Sequence, residues 1–356
     1  MIFVEKFFKK ILKLNGADFI LNYFFNFGSF LGIIFFMQVI SGLLLSLFYE
    51  SRRNFSFDSI QYLIIEINNG WLIRLIHFNI VSLFFILVIL HILKALFYFR
   101  FRLKKVWNIG LLIFLILILE AFLGYILIWS QISFWAATVI TSLIRVIPIY
   151  GKQLIIFFWR GYYLNSFSLK FFFILHFILP LIISVLVFFH LFFLHNYRRS
   201  NNLFNSSKLN KRRFFPFYWV KDFINLIFIL LFFLFFLFNP FKFNESLSFV
   251  FVNNLVSPIH IVPEWYFLWA YAILRAFRIK WVGVCMILIR VIIFFSLQKR
   301  LLNYDLISYI FIKFFCLNFL ILIWLGSQEP VFPFVNLSLL FSLIYFILLI
   351  IMDHLL

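Results

Sequence analysis

The sequence predicts an all-α chain, a polytopic transmembrane bundle of eight helices. Two observations carry this. The 356 residues are 65% hydrophobic and 12% charged, where a soluble globular protein is about 45–50% apolar and about 25% charged. Eight stretches also approach the roughly 20 apolar residues that cross a bilayer. They lie near 27–49, 71–98, 107–128, 171–194, 223–239, 281–298, 306–326 and 334–352, and the fifth is short unless it extends toward Val220. They divide into an N-terminal bundle of four helices in residues 1–215 and a C-terminal region of four in 216–356. No large soluble domain fits between them. The 60 phenylalanines leave this reading unchanged, because Phe faces lipid as well as Leu does.

The connections set an orientation. Basic residues collect in the N-terminus (Lys6, Lys9, Lys10, Lys13), after the second span (Arg100, Arg102, Lys104, Lys105), after the fourth (Arg198, Arg199, Lys208, Lys211, Arg212, Arg213) and after the sixth (Lys299, Arg300). With eight alternating crossings these loops share one side. The positive-inside rule then puts both termini on the negative side of the membrane. The opposite loops hold Arg52, Arg53 and Arg145, diluted over longer segments. The net charge of +19 therefore reflects topology and attraction to anionic lipid. Nucleic-acid binding would need a basic face on a soluble module, which the spans leave no room for. "MIFVEKFFKKILKLNGADF" lacks a small-residue cleavage site after an apolar core and reads as a short amphipathic helix on the membrane surface. Cys285 and Cys316 form no C-x-x-C, so neither zinc nor covalently attached haem is indicated.

Two of the spans each carry a pair of histidines. "HFNIVSLFFILVILH" runs from His77 to His91 and "HFILPLIISVLVFFH" from His176 to His190, both with a separation of 14 residues. Fourteen residues make about 3.9 helical turns and rise roughly 21 Å, so both histidines of a helix share one face, one toward each leaflet. The second and fourth spans run in the same direction, so His77 can face His176 near the outer leaflet and His91 can face His190 near the inner one. A lone histidine in a membrane helix is more often a hydrogen-bonded packing residue. Four at matched depth are costly to bury and point to function. Two imidazoles per site, with no thiolate or carboxylate between them, suit two bis-histidine haems stacked across the bilayer, whereas zinc wants three or four ligands. The first four helices then form a di-haem four-helix bundle.

The flanking helices repeat the interval. Gly28 and Gly42 in the first span, and Gly110 and Gly124 in the third, are each 14 apart. Glycine lets backbone approach a flat macrocycle, though small residues also serve plain helix packing. Arg74 and Lys94 lie three residues from His77 and His91. They suit haem propionates, or snorkelling to headgroups.

"FNFGSFLG" (25–32), "WLIRLIH" (71–77), "WNIG" (107–110), "LGYILIWSQISFWAATVIT" (123–141), "HFILP" (176–180), "FLH" (193–195), "VKD" (220–222) and above all "PEWYFLWAYAILR" (263–275) carry a family resemblance over about residues 20–350. The chain resembles the mitochondrial cytochrome b family, the haem and quinone subunits of ubiquinol–cytochrome c oxidoreductase (complex III). A single chain with both intervals at 14 favours the respiratory type over the split chloroplast relatives.

The resemblance implies two non-covalent b-type haems, low-potential on His77 and His176 and high-potential on His91 and His190. It implies an outer, quinol-oxidising site with Glu264 as proton acceptor, set among Pro263, Phe267, Tyr271, Phe122, Tyr125, Ala136 and Ile140. It implies an inner, quinone-reducing site with His195 and Asp222 as proton donors, Lys221 nearby, and Asn26 and Ser29 as weaker candidates. The implied mechanism is the Q cycle, with ubiquinone and ubiquinol as substrates, coupled to proton translocation. The implied partners are the Rieske iron–sulfur protein, cytochrome c1 and other complex III subunits in a dimeric complex, with membrane lipid including cardiolipin. The implied place is the mitochondrial inner membrane, termini on the matrix side.

Three departures from the family pattern bear on the outer site. Ile128-Trp129-Ser130-Gln131 stands where the family usually has Pro and Gly around the tryptophan. "SPIHIVPEW" has Ile259 and Val262 before Glu264 in place of a second proline and a lysine. Phe171 replaces a usual arginine, beside Lys170. Glu120 in "LLIFLILILEAFLGY" is an acid the family does not have as a rule, one turn before Gly124. It reads as a contact to a neighbouring subunit, or as a buried group near the low-potential haem or outer quinone. A transporter would show broken helices or repeats about a midplane site. An inactive copy would have lost some of the four histidines, Glu264, His195 or Asp222. A di-haem anchor for another oxidoreductase would not carry the 263–266 segment.

Overall fold

The computed structural model describes residues 16–18, 23–196, 211–213, 217–242, 244–297 and 306–355. The surface helix expected of residues 1–19 falls almost wholly outside these. So do Lys6, Lys9, Lys10, Lys13, Arg198, Arg199, Lys208, Lys299 and Arg300 of the orientation argument.

Among the described residues twelve α-helices follow in order: α1 (Phe27–Ser46), α2 (Ser56–Ile65), α3 (Gly70–Phe97), α4 (Lys104–Ile126), α5 (Gln131–Ser142), α6 (Gly151–Trp159), α7 (Ser166–Asn196), α8 (Phe217–Phe238), α9 (Leu268–Ala276), α10 (Lys280–Ser296), α11 (Leu306–Ser327) and α12 (Phe334–Leu355). All eight predicted spans are helices, and the fifth begins at Phe217, before Val220. Seven of the described helices are long and apolar enough to cross a membrane. The predicted sixth span is the 17-residue α10, which carries Arg290. The chain is thus all-α and multi-pass. One addition stands outside the helices: Gly16–Asp18 (β1) pairs antiparallel with Lys211–Arg213 (β2), Gly16 opposite Arg213. Three-residue strands carry too little side-chain alternation to read from sequence.

The chain forms two compact units. One comprises Met1–Leu45, Trp71–Arg100 and Leu194–Phe243, and so holds most of α1 and α3, with α8. Here the Asn79 amide donates to the Pro240 carbonyl at 3.1 Å. The Tyr23 hydroxyl donates to Asn225 Oδ1 at 2.6 Å, and the Asn225 amide donates to Ser29 Oγ at 3.3 Å. These polar links tie segments whose surfaces are otherwise apolar, the role small polar side chains play between membrane helices.

The other unit comprises Ser46–Gly70, Phe101–Phe193 and Asn244–Leu356. Two caps set its helices. Ser130 opens α5 with a capping box, its side chain accepting from the Ser133 N–H while the Ser133 hydroxyl accepts from the Ser130 N–H. Asn165 opens α7, its Oδ1 accepting from the N–H groups of Phe167 and Ser168 at 2.8 and 3.2 Å. Each cap satisfies donors that a helix start leaves without intrahelical partners. Trp107 on α4 donates its indole N–H to the Phe294 carbonyl of α10 at 2.9 Å. Arg275 donates to the carbonyls of Leu325 and Gln328 at 2.8 and 2.7 Å, a cation where α11 ends. Arg290, 8% exposed, sits 3.4 Å above the Trp269 ring, so an aromatic face accommodates the charge within the unit.

At Gly326 the α11 backbone presses on α9 so closely that a Cβ would run into the Leu268 carbonyl oxygen. Backbone cannot yield as a side-chain tip does. Gly326→Ala is therefore expected to destabilise this unit by about 1–3 kcal/mol, read as a lower thermal-inactivation midpoint of the purified protein. An unchanged midpoint would contradict this packing.

Candidate functional site

Each of the four histidine rings lies against one of the four glycines. In the first unit, a Cβ added to Gly28 would meet His91 Cε1 at 3.6 Å, and one on Gly42 would meet His77 Cε1 at 3.1 Å. In the second, a Cβ on Gly110 would meet His190 Cε1 at 3.2 Å, and one on Gly124 would meet His176 Cε1 at 2.7 Å. The spacing explains the match. Helices that keep a 14-residue interval keep their glycines and histidines at two corresponding levels. The absent side chains make room for rings on the neighbouring helix.

Two of the rings are also held at Nδ1. Ser41 Oγ lies 2.9 Å from His77 Nδ1, and Gln38 donates to the His77 carbonyl at 3.0 Å. His176 Nδ1 lies 2.8 Å from Glu120 Oε1 and 3.1 Å from the Glu120 carbonyl oxygen. A partner at Nδ1 fixes the tautomer and turns Nε2 away as a ligand. Glu120 thus faces a histidine of its own chain. Arg74 lies 5.1 Å from the Phe78 ring and Lys94 4.3 Å from the Phe25 ring, both cation–π placements. No group of three His, Cys, Asp or Glu is gathered among the described residues.

The residues expected at the outer site lie around α5 and a loop pinned to it. Gln131 does most of this. Its backbone N–H donates to the Val250 carbonyl at 2.9 Å, its amide nitrogen to the Val256 carbonyl at 2.7 Å, and its Oε1 accepts from the Asn253 N–H at 2.6 Å. Trp135 donates to the Asn253 carbonyl at 3.1 Å. The departures at Ile128 and Ser130 are absorbed here. Trp129 is fully buried in the left-handed region at φ 55°, and Ser130 supplies the α5 cap. Pro263 is buried, Glu264 half-buried, and Tyr266 is 7% exposed just before α9. Burial, reinforced by the charge of Glu264 and then by Tyr125, holds the Tyr266 phenol well above its ordinary range. It therefore stays a neutral hydroxyl beside the carboxylate. Tyr271 donates to the Ile261 carbonyl at 3.3 Å, with Arg275 over its ring at 4.8 Å. Phe267 touches Tyr266, ring centroids 4.6 Å apart. Phe122 packs on the cluster around Trp129, Ala136 is buried and Ile140 is half-buried.

Among the residues expected at the inner site, Asp222 Oδ1 accepts from the Asn26 amide at 2.9 Å and the Ser29 hydroxyl at 2.7 Å. The three candidates from two distant segments therefore meet at one oxygen. Lys221 lies over the Tyr218 ring at 5.2 Å. His195 is exposed near the end of α7, and no described hydrogen bond or ion pair joins it to Asp222. The sequence reading missed Ser41, Gln38, Tyr23 and Asn225. Each is a small or common polar residue whose role is visible only once helices are paired.

The glycine distances rank the substitutions. Gly124→Ala, at 2.7 Å, is expected to displace the His176 ring, while Gly28→Ala, at 3.6 Å, is ordinary contact. Haem per chain in the purified protein should fall in the first and hold in the second. Equal content in both would contradict the cradle.

Residues 15–198 match the family model described as Cytochrome b/b6/petB, and 251–346 the one described as Cytochrome b(C-terminal)/b6/petD. The chain is 44% identical to cytochrome b of Caenorhabditis elegans over 324 residues, covering 90% of this chain and 88% of that one. It is 39% identical to cytochrome b of Apis mellifera ligustica over 333 residues, covering 92% and 87%. It is similar to a chain of a solved structure titled "Hyperthermophilic respiratory Complex III", with a TM-score of 0.90 at 26% identity, covering 98% of this chain and 96% of that one. With glycine-backed histidines at two helical levels and family models matching both halves, the chain belongs to the cytochrome b family.

Proposed function

We propose that this chain is the cytochrome b subunit of a mitochondrial respiratory complex III, a ubiquinol–cytochrome c oxidoreductase, and that it carries both quinone sites of a Q cycle. The observation that carries the reading is the set of four histidine rings, each against a glycine, at two levels of parallel spacing. Such rings would suit planar haem groups held by histidine. Two b-type haems, when bound there, supply a one-electron path across the membrane. His77 and His176 would hold the low-potential one and His91 and His190 the high-potential one, within a bundle of the first four spanning helices. Arg74 and Lys94 suit the propionates.

Glu264 takes a proton from quinol at the outer site. Tyr266 beside it offers a neutral hydroxyl, and Phe267, Tyr271, Phe122, Tyr125, Ala136, Ile140 and Pro263 form the quinol's surroundings. At the inner site Asn26 and Ser29 orient the Asp222 carboxyl, and His195 and Lys221 complete the polar end. Proton release outside and uptake inside then accompany charge transfer across the bilayer.

The solved relative's title supports assembly with other complex III subunits. The Rieske iron–sulfur protein and cytochrome c1 are the expected electron partners, in a dimer with bound cardiolipin. The positive-inside pattern supports both termini on the matrix side of the inner membrane, with α10 as the sixth of eight crossings. The divisions 1–215 and 216–356 separate the di-haem bundle from the region holding the Glu264 segment.

Single-turnover mixing with quinol tests the division of labour. Glu264→Gln is expected to keep haem content and slow haem reduction at least about tenfold. Asp222→Asn is expected to leave that reduction fast and to slow reoxidation by added quinone. Equal slowing of both steps by both variants would contradict two separate sites.

A further inference from the structure

Glu120 is a carboxylate in the middle of an apolar α4, with a side chain 13% exposed. One oxygen reaches His176 Nδ1 at 2.8 Å; the other, Oε2, is buried with no hydrogen-bond partner among the described residues. Gly124, one turn further along α4, backs the same ring. Moving back fourteen residues, the corresponding pair is Val106 and Gly110. Helix α4 thus repeats its glycine at both levels but places an acid at one alone.

We infer that Glu120 is a positioning residue for His176, and that its carboxylate strengthens this histidine as an iron ligand and lowers the reduction potential of the haem it holds. The inference rests on the bis-histidine reading above. An imidazole whose Nδ1–H donates to a carboxylate is a more basic ligand than one donating to a neutral acceptor. A more basic ligand favours ferric over ferrous iron. On His77 the group at Nδ1 is the neutral hydroxyl of Ser41, so His77 and His176 differ in donor strength. The Glu120 carbonyl oxygen, 3.1 Å from the same nitrogen, can hold the ring alone. The side chain therefore adds charge more than orientation, and Glu120→Gln should assemble.

Potentiometric titration of the two b-haem bands, in the unmutated complex and in Glu120→Gln, tests this. The His176 haem in the variant should shift toward its reduced form by about tenfold, roughly 59 mV for one electron. The His190 haem should stay put. Glu120→Asp, whose shorter chain draws the charge back from Nδ1, should fall between, and decides the matter if Glu120→Gln retains no haem. Potentials unchanged within twofold in the haem-containing variants would overturn the inference. An unmutated complex lacking two separately titrating b haems would instead overturn the bis-histidine reading itself.

Discussion

The constraint on which the structure depends is the meeting of imidazole and bare backbone at Gly28, Gly42, Gly110 and Gly124. A Cβ at these positions would stand 2.7 to 3.6 Å from a ring carbon. That proximity fixes how α1 lies on α3 and how α4 lies on α7, within their respective units. The 14-residue interval works because it is close to four helical turns. An interval of twelve or sixteen would turn one histidine of each pair away from its glycine. The long, almost uninterrupted apolar runs between them follow from the same demand, since the two levels must be separated by most of a membrane's thickness.

The two constellations proposed as quinone sites solve a different problem. Each gathers residues from far apart in the chain and fixes them by hydrogen bonds that lipid cannot compete for. At the inner one, a single Asp222 oxygen collects Asn26 and Ser29. At the outer one, Gln131 holds a loop through three hydrogen bonds, so that the segment leading to Glu264 is set by the start of α5. Buried Tyr266, its phenol held well above its ordinary range by burial and then by the charge of Glu264, stays neutral. This arrangement tolerates the departures at Ile128 and Ser130, because the left-handed turn at Trp129 and the serine cap of α5 do the shaping.

Much of this was legible in the sequence, and unevenly so. The spans follow from hydropathy alone, and every one is a helix. The histidine and glycine levels follow from one interval repeated four times. Short helices such as Ser56–Ile65 and Gly151–Trp159 were missed because segments of nine or ten residues lie below the length that marks a crossing. Arg290 within α10 was missed because only the packed structure supplies the Trp269 face that houses it. Ser41 and Glu120 show the sharper limit. Glu120 was conspicuous as an acid in an apolar helix, yet its direction depends on which neighbour α4 meets. The chemistry at Nδ1 is a tertiary fact, set by two helices at once.

Four histidines are proposed to hold two haems by paired imidazoles. Near-infrared magnetic circular dichroism of the oxidised purified complex, together with haem quantified per chain, is the decisive measurement. Two low-spin b haems per chain are expected, both with the bis-imidazole signature. One haem per chain, or a haem with any other axial pair, would contradict it.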